Sequence, residues 1–290
     1  MIEITFENVS KNFGKTKALE SLVFKIADHG VYSFIGPNGS GKTTILRILA
    51  GLSHPSKGRV YFSENNKKIS VVHFLEKAGV VIAQPNFRKG IKGIDLLRIT
   101  TSIKNVPESK NRIKELIDLF YLEDFIKKQI ASYSSGMLQR LLLANALISD
   151  PEILILDEPM FGLDLKSQNI ITTFIENLKK SGKHTVIMTS HDVWQADFLC
   201  DEVMFLINGK SDGLWKNTRE KDLAYLLTDI NNSNMIKDEK ILQIFSINDQ
   251  KMIVIKKDSL KDILSKNEFP FSSIHIGSKM ISEYLNETIR

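Results

Sequence analysis

Gly36-Pro37-Asn38-Gly39-Ser40-Gly41-Lys42-Thr43 is the stretch from which the rest of the chain can be read. It follows the apolar run Gly30-Val31-Tyr32-Ser33-Phe34-Ile35 and precedes Ile45, Leu46, Ile48 and Leu49, which are spaced as one face of a helix. The local order is therefore strand, glycine-rich loop, helix. Glycines allow consecutive backbone N–H groups to turn inward, the helix N-terminus adds partial positive charge, and Lys42 supplies a mobile full charge. Such a loop cradles a polyphosphate, and Thr43 can place its hydroxyl on a phosphate-bound Mg²⁺. The alternative, a glycine-rich turn with no chemistry, does not account for the full motif in this setting. The loop therefore implies nucleoside triphosphate binding.

The surrounding composition is that of an ordinary globular protein. With 290 residues, 42% of them hydrophobic, the chain is long enough for a main domain and a smaller one. The net charge of +5 is mild, and lysines are interleaved with acids, which does not describe a nucleic-acid surface. Cys200 is the sole cysteine, so no internal disulfide forms, and its amphipathic surroundings read as core filling. Met1 to Phe6 alternates like a strand and lacks the basic, apolar and cleavage-site sequence of a secretory signal. Apolar runs such as Leu141 to Ile148 are too short and mixed to span a bilayer, so any membrane role is expected to come through a partner.

Around the loop, the hydrophobic periods divide the chain. Ile2 to Val9 and Leu22 to Ile26 alternate as strands of an antiparallel layer, with a turn at Gly14-Lys15-Thr16. Gly58 to Phe62 and Gly79 to Ala83 read as further strands. From Gly93 the period becomes helical, with Ile94, Leu97 and Ile103 on one face and Ile113, Leu116, Ile117 and Phe120 on another, divided at Asn105-Val106-Pro107. Ser134-Ser135-Gly136 starts a new helix, and this helical insertion runs over about 93–148. Ile153 to Leu156 is an apolar strand that delivers Asp157 and Glu158 at its end, and Val186-Ile187-Met188 does the same for Ser190 and His191. Both deliver polar groups where open α/β sheets place their chemistry. Val203 to Ile207 is a third such strand. Beyond about Gly213 the pattern reads helix (Leu223 to Leu227), strands (Ile241 to Ile247 and Met252 to Ile255), helix (Leu260 to Leu264), strand (Ser273 to Ile276) and helix (Met280 to Ile289). Trp194 and Trp215 read as anchors of domain packing.

These motifs in this order, Phe13, the loop at 36–43, Gln84, Tyr133 to Met137, Ile153 to Glu158, Phe161 to Asp164 and His191, resemble the ATP-binding subunit of ABC transporters across about Ile2 to Asp212. The resemblance implies an α/β fold, a P-loop NTPase of ABC type with mixed sheet core, antiparallel β layer and helical insertion over residues 1–212. A small C-terminal α+β domain is expected over 213–290. Phe13 would stack on adenine, although a core aromatic is the other reading. Gly36, Pro37, Asn38, Gly39, Ser40, Gly41, Lys42, Thr43 and Thr44 would bind ATP. Thr43, Gln84 and, through water, Asp157 would hold Mg²⁺. Glu158 would be the general base, His191 would orient the attack and Gln84 would sense the γ-phosphate. Ser134, Ser135, Gly136 and Met137 would act on ATP held by a second subunit, and Gly162, Leu163 and Asp164 would form the loop that crosses the dimer.

Two departures stand out against the family pattern. The segment Tyr133 to Met137 differs from the consensus LSGGQ at three positions, and Phe161 stands where serine is usual. The resemblance implies ATP hydrolysis that powers transport, with export favoured by a resemblance of the C-terminal segment to extensions of exporter-type subunits. It also implies a second ATP-binding subunit, identical or different, an integral-membrane permease, and a place on the cytoplasmic face of the membrane. No nucleic-acid partner is expected. Two other readings stay open: a soluble ATPase clamp acting on ribosome or DNA, and a nucleotide-binding regulatory subunit with weak turnover.

Overall fold

The computed structural model describes residues 1–82, 85, 87–211, 213–217, 223–229, 241–247, 250–260, 273–277 and 281. It divides into two compact units, one formed by Met1–His191 with Glu202–Leu214 and the other by Asp192–Asp201 with Trp215–Arg290.

In the first unit, alternating strands build one sheet and continuously apolar strands build the other. Strands β1 (Ile2–Phe13), β2 (Thr16–Ile26), β4 (Lys57–Glu64) and β5 (Lys67–Ile69) lie in the order β2-β1-β4-β5, antiparallel. Ile2, Ile4 and Phe6 bury alternate positions of β1, opposite Phe24 and Ile26 of β2 and Phe62 of β4. Strands β3 (Gly30–Ile35), β6 (Ala78–Val81), β7 (Ile153–Leu156), β8 (Thr185–Ser190) and β9 (Glu202–Phe205) are parallel, in the order β9-β3-β8-β7-β6. Every residue of β3, β7 and β8 is buried, as strands covered on both faces must be. The Phe6 and Phe24 rings stack at 4.2 Å and Phe24 meets Phe34 at 5.5 Å, which ties the two sheets together. Ile45, Leu46 and Leu49 of helix α1 (Lys42–Leu49) join that core.

Short helix α2 (Val71–Glu76), capped by Ser70, gave no periodic signal in the sequence. The helical insertion comprises α3 (Gly93–Ile103), α4 (Ser109–Phe120) and α5 (Ser135–Ala146). The expected apolar face of α3 requires correction. Gly93, Leu97 and Thr101 are its buried positions, whereas Ile103 lies off that face and is exposed.

Register decides where the chemistry goes. Ile35 pairs with Ser190 and Leu156 with Met188, so β3 and β8 end level and β7 ends two residues short of them. The phosphate loop, Asp157-Glu158 and His191 therefore leave the sheet on one side, at its carboxyl end. Helix α6 (Leu165–Ser181) follows the Asp157-Glu158 turn.

The second unit holds helix α7 (Val193–Leu199), the short strand β10 (Trp215–Lys216) and an antiparallel sheet. Its strands β11 (Leu223–Asp229), β12 (Ile241–Ile247), β13 (Gln250–Lys256) and β14 (Ser273–Gly277) lie in the order β12-β13-β11-β14. Residues 223–227, expected as a helix, are thus a central strand, paired on both sides. Leucine and alanine favour helix only weakly, and two neighbouring strands that bury Ala224, Tyr225 and Leu226 outweigh that preference. The helices expected at 260–264 and 280–289 fall outside the described residues apart from Leu260 and Ile281. Trp194 of α7 stacks on His275 at 4.6 Å and meets Tyr225 edge-on at 5.0 Å, and Asn217 donates to the carbonyls of Asp197 and Cys200 at the end of that helix. Cys200 is buried.

Candidate functional site

The loop between β3 and α1 needs glycine at two places for two different reasons. A Cβ on Gly36 would come within 2.1 Å of the Leu206 carbonyl oxygen, so no side chain fits. Gly41 has φ +108°, outside the range of ordinary L-residues, and a Cβ there would lie 2.5 Å from the Ala18 carbonyl. Pro37, Asn38 and Gly39 form an exposed tip, whereas Ser40 is buried and its hydroxyl has no hydrogen-bond partner. Lys42, only 5% exposed, donates to the carbonyls of Gly36 at 2.7 Å and Pro37 at 3.1 Å. Thr43 donates to Asp157 Oδ1 at 3.2 Å, and Thr44 is half-buried in the first turn of α1. The Lys42 ammonium and the buried, unpartnered Ser40 hydroxyl are donors that an anion entering the loop would engage. This cradle fits a polyphosphate.

Glu158 occupies the centre of the second part of the site. Its Oε1 lies 3.7 Å from Lys42 Nζ and its Oε2 lies 3.3 Å from His191 Nδ1. The backbone reaches this position with φ +42°, a conformation that costs a non-glycine residue about 1–3 kcal/mol. Thr189, at the end of β8, holds it there. The hydroxyl accepts from the Glu158 N–H at 2.8 Å and donates to Asp157 Oδ1 at 2.7 Å. Sequence reading missed Thr189. Its signal is register: Leu156 pairs with Met188, so Thr189 is level with Asp157.

Phe13 is 50% exposed, so the core-aromatic reading fails. Lys11 Nζ lies 4.9 Å from the ring centroid and also donates to the His54 carbonyl. Gln84 lies outside the described residues.

Ser134 to Met137 and Gly162 to Asp164 form a second group. Ser134 caps α5 by accepting from the Met137 N–H at 3.2 Å, and Ser135 donates to the Gly162 carbonyl at 3.3 Å. Asp164 caps α6 through the Ser167 N–H at 2.9 Å and its hydroxyl at 2.8 Å, and these bonds hold its carboxyl below the usual carboxylate range. A Cβ on Gly136 would lie 2.5 Å from Ser167 Oγ and 2.9 Å from Asp164 Oδ2, so α5 and α6 approach through that glycine. Leu163 accepts from Gln168 Nε2 at 3.0 Å. Tyr133, the first departure from the consensus, donates to the Phe125 carbonyl at 2.8 Å and meets the Phe125 ring edge-on. Burial pushes its hydroxyl up to about 12.

Among the described residues, no helix is long and apolar enough to cross a membrane, and no group of three or more His, Cys, Asp or Glu could hold a metal by itself. The family described as ABC transporter matches residues 19–161. The chain is 30% identical over 268 residues to the ABC transporter ATP-binding protein YhcH of Bacillus subtilis (strain 168), covering 92% of this chain and 85% of that one. It is 33% identical over 242 residues to the bacitracin transport ATP-binding protein BcrA of Bacillus licheniformis, covering 80% and 77%. The dimeric structure of the ATP-binding cassette MJ0796 bound to ADP and Pi matches with a TM-score of 0.64 and 27% identity, covering 74% of this chain and 98% of that one. A phosphate cradle, two acids at the end of a buried strand and relatives that span most of both chains lead to one conclusion: this chain belongs to the ABC transporter family, as an ATP-binding subunit that hydrolyses ATP to drive transport.

Proposed function

We propose that the chain sits on the cytoplasmic face of the membrane, pairs head-to-tail with a second ATP-binding subunit, closes around ATP with Mg²⁺, and exports a solute through a separate integral-membrane permease. The observation that carries this reading is the Glu158 carboxylate, suspended between the buried Lys42 ammonium and the His191 imidazole. Phe13 stacks on adenine, with its exposed ring as the platform, and residues Gly36 to Thr44 hold the phosphates. Glu158 takes a proton from the attacking water as its oxygen bonds to the γ-phosphorus and the bond to the β–γ bridging oxygen breaks. His191 contacts the γ-phosphate and keeps Glu158 in line. The Ser134 hydroxyl and the N–H groups of Ser135 and Gly136 reach the γ-phosphate held by the partner, with Met137, whose N–H holds Ser134 Oγ, completing the turn that presents them, while Gly162 to Asp164 cross between the two chains.

Thr43 and Asp157, with Gln84, are the residues that would hold Mg²⁺. An all-oxygen set with few protein ligands fits a hard cation that keeps several waters. When bound, Mg²⁺ neutralises charge on the β- and γ-phosphates. For the permease, the surface around edge strand β6 is the contact we favour. A cavity of about 390 Å³ on that surface is lined by Val80, Ile82, Pro85, Phe87 and Leu96, beside Asn145, whose buried side-chain oxygen has no partner.

The test is Glu158→Gln. Proton transfer of this kind is worth about 10²–10⁴ in rate, so turnover should fall by that factor while ATP binding persists. With ATP present, the variant should sediment as a pair and bring a multi-span membrane protein with it from native membranes. Recovery of ribosomes or DNA in its place would support the clamp reading. Export would appear as ATP-dependent solute uptake into vesicles whose cassettes face outward.

A further inference from the structure

The turn leaving β7 places a large apolar side chain where it is open to solvent. Phe161 is 65% exposed, yet its ring meets the His191 imidazole edge to face, with centroids 4.9 Å apart and planes at 85°. The backbone fixes this approach. The Phe161 N–H donates to the Glu158 carbonyl at 3.1 Å, closing a tight turn, and the Glu158 N–H is itself held by Thr189, two residues before His191. The imidazole thus has the Glu158 carboxylate at 3.3 Å from Nδ1 and the Phe161 ring as a second neighbour. The terminal torsion of a histidine is broad, so a half-exposed imidazole needs contact on more than one side to keep one nitrogen on a carboxylate. The serine usual at this place in the family offers no ring for that contact.

We propose that Phe161 is a positioning residue for ATP hydrolysis, holding the His191 imidazole so that Nδ1 stays on Glu158. This rests on the reading of Glu158 as base and His191 as the group that orients the attack. An edge-to-face contact of this kind, expressed in the transition state, changes kcat by about two- to tenfold.

The experiment compares the full-length wild type with Phe161→Ser, Phe161→Ala, Phe161→Tyr, His191→Ala and the double variant Phe161→Ser/His191→Ala. It measures kcat, KM for ATP and ATP affinity, with thermal melts to confirm folding. Phe161→Ser and Phe161→Ala should each lower kcat by about two- to tenfold with ATP affinity unchanged, Phe161→Tyr should restore the rate, and Phe161→Ser should have no further effect once His191 is alanine. Wild-type kcat in Phe161→Ser beside a slow His191→Ala would overturn the proposal and leave the site reading intact. A full additional loss in the double variant, or failure of tyrosine to rescue, would also overturn it, because Phe161 would then act elsewhere. Wild-type turnover in His191→Ala would sink the site reading itself.

Discussion

At the scale of single residues, Lys42 was expected from its loop motif and Asp157 and Glu158 from their place at the end of an apolar strand together with the family resemblance, and Lys42 Nζ lies 3.7 Å from Glu158 Oε1. Thr189 was not expected, since one hydroxyl among several in a strand means nothing until register sets it beside Asp157. Replacing it with the near-isosteric valine leaves the Glu158 N–H without its partner and removes a donor from Asp157. Thr189→Val should cost about 1–3 kcal/mol of stability and lower kcat more than it raises KM, as read from denaturant melts and steady-state kinetics. Gly136 is legible as part of a motif, but its reason is a close approach that only coordinates reveal. Gly136→Ala should destabilise the chain by about 1–3 kcal/mol, and adding Ser167→Ala, which removes the nearest atom, should recover part of that loss in a thermal melt. Phe161 stood out only as a departure from the serine usual in the family, and its contact with His191 went unseen because a turn, not a period, creates it.

Elements with a strict period were the easiest to read, and elements set by neighbours the hardest. The buried strands β3, β7 and β8 announce themselves as apolar runs, whereas β11 carries a sequence as compatible with helix and becomes a strand through pairing on both edges. The start of α5 shows a departure from consensus with a physical role. Tyr133 ties the segment before that helix to the Phe125 carbonyl, and Tyr133→Phe should cost about 1 kcal/mol at neutral pH. Its proton is held more tightly in the folded chain than in the unfolded one. The stabilisation is therefore complete below pH 10 and is lost as pH rises from about 10 toward 12. Melting temperature followed across that range, with tyrosinate absorbance as the reporter, should fall more steeply in the wild type than in Tyr133→Phe.

For the whole molecule, the expected boundary at residue 213 followed a change of pattern along the chain, but compactness groups α7 with the C-terminal sheet. No local signal marks that grouping, because Tyr225 and His275, which meet Trp194, come later in sequence. Trp194→Ala should weaken the second unit by about 2–3 kcal/mol, less than a fully buried indole would, and calorimetry should show a lowered transition while ATP binding is retained. The interleaved order also bears on biosynthesis. During translation α7 emerges before β9, so the parallel sheet of the first unit can finish while the indole of Trp194 still waits for partners the ribosome has not yet made. A chain stopped by a nonsense codon after Leu214 would keep every described residue of the phosphate cradle and lose the partners of that indole, giving a nascent product able to hold nucleotide and yet a natural client for chaperones.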